Sequence, residues 1–300
     1  MTRSARRRYL QESATFYAFM LPAILFILLF IVYPMIHSLI LPFFQWKGYG
    51  EAKFIGLRNF KTMFTEDEYF WTALKNSVLF SLSGTVGTVL IGFVLAVFVD
   101  LKIRFWRMYR FFFFLTVSVS VVITGLLWVK ILDPFGLLNT VLGYLNLAHL
   151  QKVWLGDTST AMPAIILTAI WQYSGFTMIF FLAGMQSIDE EIYESAMIDG
   201  ASKTRRVFSI TIPLLKHVFS VVTMLQLIFS FKVFDQVWVM TKGGPAGATE
   251  VLGTHLYTDA FRLIRFGYAS VIAFIMFVVA IIFSSVYIKI SGYTRTIQRI

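Results

Sequence analysis

Residues Asn76 to Val99 read N-S-V-L-F-S-L-S-G-T-V-G-T-V-L-I-G-F-V-L-A-V-F-V, with no charged side chain anywhere in the run. A helix needs roughly 20 apolar residues to cross the hydrocarbon layer of a bilayer. Five further stretches have comparable character. They are the charge-free interval from Ser13 to Trp46, Phe111 to Val129, a stretch within Thr158 to Ile188, the run after Lys216 to about Met240, and Phe266 to Ile288. The fifth of the six is broken by Lys232 and Asp235. Composition agrees: of 300 residues 58% are hydrophobic and only 14% charged, with a mean hydropathy of +0.74. A soluble domain carries about 25% charge, so the expected fold class is an all-α integral membrane protein of about six spans.

The net charge of +10 would in a soluble protein suggest nucleic acid; here its distribution matters more. With a cytoplasmic amino terminus, the inside segments hold fifteen Lys and Arg and the outside loops nine, the bias expected of a membrane protein. Both termini are then cytoplasmic. The expected organisation is a tail 1–13, a transmembrane domain 14–290, and a tail 291–300. The basic start, Met1 to Arg8, precedes an apolar run without a small-residue cleavage site, so that run is read as a retained span. Trp46, Trp71, Trp128, Trp154 and Trp238 fall near outer helix ends, as an interfacial belt would. Outside, a short helix is expected near Phe60 to Phe64 and a turn at Asp133-Pro134-Phe135-Gly136. Leu137 to Leu150 is apolar but too short to cross.

Between the fourth and fifth spans, Glu194 to Pro213 read E-S-A-M-I-D-G-A-S-K-T-R-R-V-F-S-I-T-I-P. Ser187 stands three residues before Glu190, the spacing of a capping box. Asp189, Glu190 and Glu191 sit in a first turn where the helix dipole favours negative charge. Ile188, Ile192 and Ala196 recur every four residues as one apolar face. Gly200 suits a helix stop, Lys203, Arg205 and Arg206 open a second short helix, and Pro213 fits the first turn of the next span. On charge and capping alone, the segment reads equally as a solvated loop or as a helix-bend-helix offered to a partner.

The order Glu194, Ala196, Asp199-Gly200-Ala201, Ile210, Pro213 resembles the EAA loop of ABC import permeases. Ser195 and Ile212 depart from the family's usual alanine and leucine. Met20-Leu21-Pro22-Ala23, Phe54-Ile55-Gly56-Leu57-Arg58-Asn59-Phe60, Ser230-Phe231-Lys232-Val233-Phe234-Asp235-Gln236 and Thr241-Lys242-Gly243-Gly244-Pro245 are similar to segments of the maltose and glycerol-phosphate type permeases, in the expected order. Lys242 stands where that group usually has a third glycine. The resemblance implies a permease subunit of an ATP-driven sugar or oligosaccharide importer in a prokaryotic plasma (inner) membrane. It implies as partners a second permease subunit, two ATPase subunits that carry ATP-Mg, and an extracytoplasmic solute-binding protein. The coupling loop would be 187–213. Its ATPase-coupling residues would be Glu190, Glu191, Glu194, Ala196, Asp199, Gly200, Ala201, Ile210 and Pro213, with Ala196 for close packing and Gly200 for the bend.

Intramembrane polar residues usually have a partner or a role. Gln226 and Ser230 are four apart and share a helix face near mid-span, the depth at which transporters hold substrate. Trp171, Gln172 and Tyr173 offer the amides and rings that suit sugars. A substrate path lined by Tyr173, Gln226 and Ser230 is the functional reading; hydrogen bonding to neighbouring helices is the bland one. Lys232 and Asp235 read as an internal ion pair, or, in an ion-gradient-driven secondary transporter, as the coupling pair. Gly243-Gly244-Pro245-Ala246-Gly247 lacks the lysine and flanking elements of a phosphate loop. The chain has no cysteine, and its four histidines lack ligand spacing. No catalytic residue, metal site, cofactor or nucleic-acid partner is therefore expected in this chain.

Overall fold

A computed structural model describes residues 16, 17 and 19–291; the expected tails lie outside the described residues apart from Ser291. The helices are α1 (Phe19–Phe43), α2 (Arg58–Thr65), α3 (Glu68–Asp100), α4 (Trp106–Ser118), α5 (Val121–Ile131), α6 (Leu137–Tyr144), α7 (Ala161–Gln186) and α8 (Glu190–Ile198). They continue as α9 (Lys203–Leu214), α10 (Lys216–Phe231), α11 (Asp235–Met240), α12 (Leu252–Tyr257) and α13 (Phe266–Ser291). Four helices, α1, α3, α7 and α13, are long and apolar enough to cross a membrane alone, and the number rises to six if each of two bent pairs is one span. The described residues form two compact units, one of residues up to Glu66 with Asp259–Ile275, the other of Asp67–Thr258 with the residues from Met276 onward.

In the first unit, α1 contains a π turn at Leu28–Val32 just before Pro34. Proline lacks an N–H and its ring strikes the carbonyl four residues back, so the wider turn relieves both conflicts. Two short antiparallel strands follow, β1 (Phe44–Gln45) and β2 (Lys53–Phe54), with Phe44 opposite Phe54. Asn59 on α2, the helix expected near Phe60, donates to the carbonyls of Pro42 and Phe44 at 2.9 and 3.0 Å. The start of α13 lies close to β1: Gly267 N–H donates to the Trp46 carbonyl, and a Cβ at Gly267 would strike the Phe44 carbonyl.

The second unit is organised by α3 against α7. Helices in lipid gain no hydrophobic drive from associating, so small residues and polar contacts must supply the packing. Gly87 faces Ile170 and Gly92 faces Thr177 with no room for a Cβ. The Thr177 hydroxyl donates to the Thr88 carbonyl at 2.9 Å, and Ser81 donates to Leu227 of α10 at 2.9 Å. Gly175 of α7 lies directly on the Phe113 carbonyl of α4. Below the glycine contacts, Phe181, Met178, Met185 and Leu215 form a dry core.

One expectation changes and one holds. The span read as Phe111 to Val129 is two helices bent by 103°, parted at Val119 and Ser120. Val119 adopts an extended backbone, and its freed carbonyl accepts from Gln172 Nε2 at 3.2 Å. Apolar periodicity cannot register a break when a side chain of another helix serves the backbone. The fifth run does break where its charges stand: α10 ends at Phe231 and α11 begins at Asp235.

Asp133 makes the expected turn, its carboxylate accepting from Phe135 N at 3.0 Å. Past α11, Asn76 donates to the carbonyls of Ala248 and Glu250 at 3.0 and 2.9 Å, fastening the loop to α3. Lys242 in that loop has φ +55°, the left-handed region that suits the glycine it replaces. An L-residue there costs about 1–2 kcal/mol, part of which glycine returns through its greater freedom when unfolded.

Two outcomes follow for the melting temperature of the purified protein in detergent. Gly175→Ala should lower it through overpacking of about 1–3 kcal/mol; unchanged melting would disprove the close α4–α7 approach. Lys242→Gly should raise it through a gain of about 0.5–1 kcal/mol, and a fall would show that the left-handed turn is not strained.

Candidate functional site: the elbow and the intramembrane cavity

At the end of α7, Ser187 donates to the Gly184 carbonyl at 2.7 Å and so closes the helix it follows. The capping box expected with Glu190 is therefore absent. Helix α8 begins at Glu190 after Asp189, which makes no side-chain cap; Glu190 and Glu191 do occupy the first turn. The stop at Gly200 is as expected, with φ +75°. Its N–H donates to the Met197 carbonyl at 3.0 Å, and Ala201 N–H donates to the Ala196 carbonyl at 2.8 Å. Those two bonds form a Schellman motif, which needs a left-handed residue at Gly200. Asp199 thus stands at the helix end, and Ala196 and Ala201 are its two small flanks.

Ser202 caps α9, accepting from Arg205 N at 3.3 Å. Within α9 the backbone widens into a π turn at Val207–Thr211, which includes Ile210. Pro213 lies near the end of this same helix, not in the first turn of the next span. The π turn ahead of it absorbs the lost N–H and the ring clash, as at Pro34. Helix α10 then departs at 69° from Lys216. The Tyr193 hydroxyl meets the Thr211 hydroxyl at 3.0 Å, bracing α8 against α9.

The inward face of α8 is Tyr193 and Ala196, both half-buried, whereas Ile192 is exposed. Ile188 precedes the helix and packs on the dry core. The expected face of Ile188, Ile192 and Ala196 is thus shifted, because the helix starts two residues later than a capping box would start it. The apolar side chains left outside are Ile198 at 87% exposure, Phe208 at 65% and Met197 at 50%. They were not singled out from the sequence, although their lack of phase with Ala196 was visible there. Behind the elbow, a groove of about 650 Å³ is lined by Asp100, Arg110, Glu190, Glu194 and Arg206 among others. Glu191 is exposed. Arg206 Nε is buried without a hydrogen-bond partner.

A second cavity, of about 300 Å³, lies among α3, α7 and α10. Tyr173, Gln226 and Ser230 all line it, with Phe80, Phe176 and Phe229 as apolar walls. Trp171 and Gln172 do not: Trp171 stands edge-on to Trp128 at 5.6 Å, and Gln172 braces the α4–α5 break. Lys232 and Asp235 line the cavity too, but the expected ion pair between them is not among the contacts of the described residues. Lys232 Nζ lies 5.9 Å from the Phe229 ring centre. The helix break separates the two charges onto different half-helices. Lys232 caps the C-terminus of α10 and Asp235 opens α11, each at the dipole end that favours its sign. Gln236, only 2% exposed, also lines the cavity, and its Nε2 has no partner. The sequence places it only in a segment similar to the sugar permeases, not in the path.

Residues 88–291 match the family described as the inner membrane component of binding-protein-dependent transport systems. A probable ABC transporter permease protein of Pyrococcus horikoshii is 38% identical over 267 residues, covering 88% of this chain and 91% of the relative. The lactose transport system permease protein LacF of Rhizobium radiobacter is 31% identical over 94% of this chain and 95% of its own. The trehalose/maltose transport system permease protein MalF of Thermococcus litoralis is 30% identical over 95% and 96%. Among solved structures, a bacterial alginate ABC transporter in complex with an alginate pentasaccharide-bound periplasmic protein matches with a TM-score of 0.83 and 25% identity. That match covers 95% of this chain and 96% of the neighbour. These kinships leave the ion-gradient alternative without support. The chain belongs to the inner-membrane components of binding-protein-dependent transport systems, as a permease subunit of an ABC transporter.

Proposed function

We propose that this permease forms half of the translocation path of a sugar or oligosaccharide importer and is driven through the α8–α9 elbow by a cytosolic ATPase. The observation that carries the coupling is the exposure of Ile198, Phe208 and Met197 on a short, capped, charged elbow. Apolar side chains held out on a rigid element are the usual centre of a protein interface, with charges at its rim. Glu190, Glu191, Glu194 and Asp199 would form that rim. Ala196, Gly200, Ala201, Ile210 and Pro213 shape the elbow itself. ATP-Mg would sit on two ATPase subunits, and closure of that pair would tilt the spans attached at α7 and α10.

The sugar class is supported by relatives named for lactose and for trehalose and maltose, and by the alginate importer's fold. The cavity's chemistry suits it as well. Tyr173, Gln226, Ser230 and Gln236 offer hydroxyls and amides between aromatic walls, and rings and hydrogen bonds are what a sugar needs. A second permease would complete the path, and an extracytoplasmic solute-binding protein, like the one bound to the alginate importer, would deliver the substrate. Both termini would lie in the cytosol.

Ile198→Asp should leave membrane insertion intact and weaken copurification of the ATPase subunit about ten- to a hundredfold, the loss of one buried aliphatic side chain. Undiminished copurification would remove the elbow from the interface. Gly200→Val should abolish substrate-stimulated ATP hydrolysis while Gly200→Asn, which tolerates a left-handed backbone, retains most of it; equal effects would dismiss the bend. Gln226→Ala with Ser230→Ala should lower uptake about tenfold, two neutral hydrogen bonds, without disturbing assembly. Unchanged uptake kinetics would place the path elsewhere.

A further inference from the structure

The first unit holds a concavity of about 480 Å³ that has no part in coupling or in the intramembrane cavity. Lys47, Arg58 and Arg265 converge on it, together with the rings of Trp46, Tyr49 and Tyr268. Arg265 is bonded to the buried Asp259 carboxylate, and its guanidinium lies 5.1 Å from the Tyr268 ring centre. Among the described residues, the side chains of Lys47 and Arg58 have no ion-pair or hydrogen-bond partner. The concavity therefore presents two uncompensated cations on top of one satisfied pair. Such an arrangement is built for an anion.

Its depth suggests which anion. It opens where α1 ends at Phe43 and α13 begins at Phe266, the ends of two apolar helices and hence the level of lipid headgroups. Tryptophan and tyrosine favour that level because one end of each is apolar and the other wet. We infer that the concavity binds the phosphate of an anionic phospholipid. Lys47 and Arg58 contact the phosphate oxygens, Arg265 lines the floor, and Trp46 and Tyr49 flank the glycerol. A sugar carboxylate or a free phosphate ester offers similar anionic chemistry but no acyl chains, and this distinguishes the sources.

The test is native mass spectrometry of the full chain released from nanodiscs of phosphatidylcholine doped with phosphatidylglycerol. Wild-type protein should retain one more phosphatidylglycerol than Lys47→Gln/Arg58→Gln. The double variant should bind it roughly thirtyfold more weakly, as expected for two basic contacts at an anionic surface. The control Lys130→Gln/Lys152→Gln removes equal charge elsewhere and should behave as wild type. Glycerol phosphate and galacturonate, added to phosphatidylcholine discs, should not bind at the lipid's concentration. Equal lipid retention by wild type and double variant, an equal loss in the control, or binding of either free anion would overturn the assignment. A shared circular dichroism spectrum confirms that the variants are folded.

Discussion

A peptide group in hydrocarbon must find a hydrogen-bond partner within the protein, and this constraint governs where the permease departs from straight helices. Each interruption inside the apolar segments has a local remedy. At Val119 a glutamine from α7 serves the freed carbonyl. At Pro34 and Pro213 the backbone widens into a π turn. Between α10 and α11 the oppositely charged residues Lys232 and Asp235 face the two exposed helix ends. The cavity lined by Tyr173, Gln226 and Ser230 lies beside that last interruption, so the polar groups that repair the backbone also make the interior hospitable to a polar solute.

Close approach is the second requirement. Gly87, Gly92 and Gly175 let α3, α7 and α4 come near enough for the hydroxyls of Thr177 and Thr116 to reach carbonyls of a neighbouring helix. That geometry gives the second unit a rigid centre in a medium where burial of apolar surface contributes little. The wide elbow between α7 and α10 is attached to this centre through Leu215, Met185 and Phe181.

Much of this was legible in the residues. Runs such as Asn76 to Val99 reveal spans because their length must match a membrane, and Gly200 reveals a bend because few other residues accept its backbone. That Gln226 and Ser230 share one cavity was readable because a four-residue spacing fixes one helix face, whereas Tyr173 joins them from α7 through packing that no spacing specifies. What was hidden depends on other helices. The 103° bend at Val119 needs Gln172, fifty-three positions away. The exposed Ile198 and Phe208 look ordinary in a chain so rich in apolar residues, and only the positions of α8 and α9 turn them outward. Ser187 fits two caps equally well on spacing, and the end of α7 claims it first.

The hydroxyl contact between Tyr193 and Thr211 turns the elbow from a hinge into a triangle. Two sides are α8 and α9, and the third is a cross-brace that keeps the angle at Gly200 from folding when the tip is pressed. Force applied near Ile198 would then not be absorbed by flexing at the bend. It would arrive at the junction with α10 as rotation, and α10 carries Gln226 and Ser230.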